Sequence, residues 1–62
     1  VTDPKALLAR MLADGHRERG VTDIDELARF IVADLLEDDL ITHAEAPDWR
    51  RKVAADLRRA GG

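Results

Sequence analysis

Apolar residues recur along the chain at helical spacing, in three runs separated by polar or glycine-containing joints. In the first run Leu7, Leu8, Met11 and Leu12 repeat at i, i+4, the rhythm of one helix face. Asp3-Pro4 precedes it. Asp suits the N-cap, where its side chain accepts an orphan N–H, and Pro needs no donor at the first helical position. Gly15 is the expected stop, because glycine enters the left-handed conformation that closes many helices. These signals predict a first helix over 4–14, followed by a loop of His16-Arg17-Glu18-Arg19-Gly20. A helix that continues to Arg19 and stops at Gly20 is the alternative.

The second run carries the clearest start. Thr22 or Asp23 can cap it, Asp23 and Glu26 have capping-box spacing, and Val21 sits before the cap, where an apolar residue can staple onto the first turn. Ile24, Leu27, Ala28, Ile31 and Leu35 then form one stripe, which predicts a helix over 23–38. Phe30 widens that stripe on one side, and Val32 and Leu36 widen it on the other. A helix that packs on one side needs an apolar arc only somewhat wider than about 100°. Here the arc exceeds half the circumference. Either neighbours within the chain cover both flanks, or one edge meets another molecule. The second explanation makes Phe30, Val32 and Leu36 candidate interface residues.

The third run, Trp49, Val53, Leu57 and Ala60, predicts a helix over 47–60 that ends in Gly61-Gly62. Its start is ambiguous, because Thr42 and Glu45 have capping-box spacing while Pro47-Asp48 also opens helices. Leu40 and Ile41 are expected to turn inward and anchor the joint. The expected fold class is therefore all-α: a small three-helix bundle, or a helical hairpin with a third packed helix, forming a single domain over 1–62.

Composition narrows the function classes. A chain of 62 residues buries roughly 60% of its unfolded surface, so its stability is marginal. Small scaffolds usually add a disulfide, a metal or a partner subunit. There is no cysteine, which removes disulfides and thiolate zinc sites and fits a reducing cytoplasm. Binding to a second copy or to a larger protein is the staple that remains. No apolar run approaches the roughly 18 residues that span a membrane. No basic stretch followed by an apolar one suggests a secretory leader.

Catalytic signals are absent. The chain shows no phosphate-binding glycine loop, no H-E-x-x-H and no cysteine nucleophile. Thr2, Thr22 and Thr42 each lie near a helix start, where capping accounts for them. His16 and His43 fall in joints and read as surface residues; His43 with Glu45 and Asp48 is the only cluster that suggests ligation. No catalytic residue, metal or cofactor is expected.

Trp49 is the sole tryptophan and Phe30 the sole other aromatic. Aromatics dominate small cores and interfaces alike, so Trp49 joins the candidate interface residues. Arg50, Arg51, Arg58 and Arg59 give the third helix a basic surface, as a DNA-reading helix would. Against that stand Asp48, Asp56 and a net charge of -3. The favoured expectation is a non-enzymatic protein-interaction module that self-associates as a homodimer through the second helix. A small helix-turn-helix-like DNA-binding regulator using the third helix is one alternative. A phage or mobile-element accessory protein that docks on a host factor is another.

Overall fold

The stripe on the middle helix forms the axis of the core. In a computed structural model, which describes residues 4–61, the chain folds into α1 (Pro4–Glu18), α2 (Ile24–Glu37) and α3 (Ala46–Gly61). The described residues contain no strand, and the architecture is the small three-helix bundle expected from the periodicity. Leu27, Ile31 and Leu35 of α2 are fully buried, with Ala28 and Val32 beside them. Val53, Ala54 and Leu57 close over them from α3, Ala9 and Ala13 from α1, and Ile41 from the joint. Both flanks of the wide α2 arc thus have neighbours within the chain.

The first helix is longer than its glycine signal predicts. It passes through Gly15 and runs to Glu18, which corrects the expected end at 14. The true terminator is Gly20, at φ 99°. Gly20 N–H donates to Arg17 O and Val21 N–H to His16 O, the paired bonds of a Schellman cap. Such a cap also wants an apolar residue just past the glycine to pack back on the helix. Val21, which packs against the core, follows Gly20, whereas polar His16 follows Gly15. Asp3, the expected N-cap, lies outside the described residues.

Of the two candidate caps of α2, Asp23 is the N-cap, and its side chain accepts from Asp25 N–H rather than forming the expected box with Glu26. It ends in a second Schellman cap, with Asp39 N–H donating to Leu36 O and Leu40 N–H to Leu35 O. Asp39 takes the left-handed position at φ 57°, where glycine is usual.

The two candidate starts of α3 act in sequence. Thr42 and Glu45 form a reciprocal box: Glu45 N–H donates to Thr42 Oγ1, and Thr42 N–H donates to Glu45 Oε1. The turn they hold uses an i→i+3 bond from Glu45 N–H to Thr42 O. Pro47 has no N–H for the carbonyl of His43, so regular α-helix begins only at Ala46.

Candidate interaction surface

The four candidate interface residues do not share one surface. Val32 is only 4% exposed and belongs to the core. It lies on the flank of α2 marked by Asp25, whose Oδ1 is 3.4 Å from Arg58 Nη2 of α3. Leu36 continues that flank and is half-buried against the core. Phe30 lies on the opposite flank, 46% exposed, with its ring stacked on His16 of α1 at a centroid distance of 5.2 Å. Trp49 is half-buried at the α1–α3 side, with Lys5 Nζ 5.8 Å and Lys52 Nζ 5.2 Å from its ring centroid. Each aromatic therefore has a cationic or aromatic neighbour in its own chain.

His16, expected in a loop, is instead a helical residue that links two helices. Its Nε2 lies 2.9 Å from Asp34 Oδ2. A carboxylate can only accept, so the imidazole donates through Nε2. Met11, Leu12, Gly15, His16 and Asp34 line a shallow groove between α1 and α2, together with Arg19, Glu37 and Asp38.

Among the described residues, the most exposed of the large apolar side chains are on α1. Leu7 is 51% and Met11 64% exposed, one turn apart on the face turned away from the core. Their i, i+4 ridge continues to Gly15 at the groove. Gly15 adopts ordinary helical geometry, and a Cβ placed there would meet no atom within 4 Å. Neither backbone conformation nor packing within the chain requires a glycine at this position. The periodic pattern places Leu7, Leu8, Met11 and Leu12 together on one face; Leu8 and Leu12 do pack against the core, half-buried beside the buried Ala9 and Ala13, while Leu7 and Met11 are left outside. A hint is present in the sequence: at 100° per residue, Ala6, Ala9, Ala13 and His16 make a stripe of their own, nearly opposite Leu7 and Met11.

The arginines of α3 are largely matched by carboxylates. Arg51 pairs with Asp48, Arg59 with Asp56, and Arg58 with Asp25. Arg50 has no ion pair among the described residues. These pairs leave α3 a mosaic of both signs along the surface considered for nucleic acid.

The His43, Glu45 and Asp48 cluster is spent locally. Glu45 holds Thr42, and Asp48 holds Arg51. The backbone and side-chain hydrogen bonds from Thr42 hold the Glu45 carboxyl below its ordinary pKa. No group of three or more metal-binding side chains gathers among the described residues. No helix among them is long and apolar enough to cross a membrane. No protein-family model matches the chain, and no curated protein or solved structure matches it either.

Proposed function

We propose that this chain is a non-enzymatic protein-interaction module that self-associates, and that its contact surface centres on α1. The observation that carries this reading is the exposure of Leu7 and Met11 on the outward face of that helix. A small domain with no disulfide has reason to cover such a face with a partner. The wide arc of α2, which first suggested an interface there, is spent largely on packing against α1 and α3. Phe30, on the far flank of α2, is stacked on His16 and is less exposed than Leu7 or Met11.

Solution mass measured against concentration tests the proposal, by sedimentation or light scattering from micromolar to millimolar protein. The mass is expected to rise towards two chains. Met11→Lys, an exposed change, is expected to hold it at one chain, while Phe30→Ala leaves association intact. A folded wild-type protein that stays at one chain throughout would overturn the proposal.

A further inference from the structure

The ridge Leu7, Met11, Gly15 has a symmetry that bears on how two copies meet. Leu7 lies four residues before Met11, and Gly15 lies four after. A two-fold axis through Met11, perpendicular to α1, therefore sets Leu7 of each copy opposite Gly15 of the other. We propose that a second copy of this chain docks antiparallel on α1 in this way, with each Leu7 seated over the Gly15 of the other copy. The inference rests on the self-association proposed above and specifies its geometry.

Three observations favour this occupant. The first is the glycine. A glycine inside a helix costs about 0.5–1 kcal/mol relative to alanine. At Gly15 nothing within the chain offsets that cost, since a Cβ would enter open space. A side chain arriving from outside does offset it, because it fills the notch and gains a close approach. The second is size complementarity along a single ridge: the large exposed side chain and the missing one are equidistant from Met11, as an isologous contact requires.

The third is charge. Arg10 and Asp14 are exposed on the same edge of α1, on either side of Met11. Arg10 has no ion pair among the described residues, and Asp14 makes only a loose one, 3.6 Å from Arg17. An antiparallel copy reverses their order. Arg10 then lies within about 3 Å along the axis of Asp14 of the second copy, two residues at 1.5 Å rise each. An arginine side chain spans that offset. A parallel copy in register would set like charges together instead. A contact made by one helix per copy sits at the small end of specific interfaces, below about 1,200 Å² in total. Association in the micromolar range is the corresponding expectation.

Sedimentation equilibrium at low ionic strength, on the full chain, tests the geometry with three variants. Gly15→Leu should raise thermal stability, because it removes a helix-interior glycine, yet weaken association at least tenfold by filling the notch. Arg10→Asp alone and Asp14→Arg alone should each weaken self-association, since each makes two like-charge contacts. An equimolar mixture of these two variants should associate about tenfold more tightly than either alone, because both contacts become attractive. A role for these residues confined to one chain would not produce recovery on mixing. A wild-type dimer that Gly15→Leu leaves intact, with no recovery in the mixture, overturns this geometry while self-association stands. A wild-type monomer at every concentration overturns both.

Discussion

His16 of α1 and Asp34 of α2, eighteen positions apart, meet with Nε2 2.9 Å from Oδ2. The bond ties the last turn of α1 to the last turn of α2, and the Phe30 ring stacks on the same imidazole. A net contribution of about 0.5–1.5 kcal/mol is typical for such a bond. Asp34→Ala should therefore lower the melting temperature by several degrees, since about 1 kcal/mol moves a domain of this size by roughly 4–8 °C. A double-mutant cycle with His16→Ala, followed by circular dichroism, should show the two losses to be non-additive. Additive losses would mean that the pair contributes nothing as a pair.

Phe30 and Ile31 are adjacent in sequence and opposite in consequence. Ile31 is fully buried, so Ile31→Ala should cost about 2–5 kcal/mol. A single core of this size rarely supplies more than about 3–5 kcal/mol, so much of that variant should be unfolded at room temperature. Phe30→Ala loses a half-exposed stack and should cost about 0.5–1.5 kcal/mol. Urea denaturation of both variants separates these values, and equal losses would place Phe30 in the core.

The two left-handed cap positions predict opposite signs. Gly20→Ala imposes a Cβ at φ 99° and should destabilise by about 1–2 kcal/mol. Asp39→Gly relieves a side chain at φ 57° and should be neutral or stabilising by up to about 1 kcal/mol. Denaturant midpoints for both proteins check the pair.

Glu45 predicts an acid-side dependence. Its bonds with Thr42 favour the carboxylate in the folded state, so the folded pKa lies below the unfolded one. The stability this contributes is present above the unfolded pKa, about 4.3, and is lost as pH falls through the lowered folded value. The stability difference between wild type and Glu45→Gln should be constant near neutrality and shrink below about pH 4. A difference that grows on acidification would reverse the sign and remove the capping role.

The helices were legible because their starts are chemically specific: Thr42 forms the box with Glu45 that its spacing suggests, and Asp23 caps through Asp25 N–H in place of the box with Glu26. The end of α1 was legible only as the second of two readings, the stop at Gly20, because Gly15 and Gly20 look alike until the residue after each is weighed. The core of α2 was legible from one stripe. Which side of α1 faces inward was not, because that depends on how closely the helix approaches its neighbours. Ala9 and Ala13 face inward with Leu8 and Leu12 half-buried beside them, and Leu7 and Met11 are left outside. Val32 shows the reverse case, a flank residue whose burial depends on where α3 lies.

The small side chains that seat α1 also bear on which part of the fold opens first. Alanine buries little apolar area, and burial stabilises by roughly 25 cal/mol per Å². The buried residues of α1 are Ala9 and Ala13, with Leu8 and Leu12 only half-buried, whereas α2 and α3 clasp each other through buried Leu27, Ile31, Leu35, Val53 and Leu57. The fold therefore divides into a firmly held α2–α3 pair and a more loosely attached α1. Backbone amides of α1 should exchange with solvent through a partial opening, while those of α2 and α3 wait for global unfolding. On the self-association proposed above, protection of the α1 amides is expected to rise with protein concentration while that of α2 and α3 changes little.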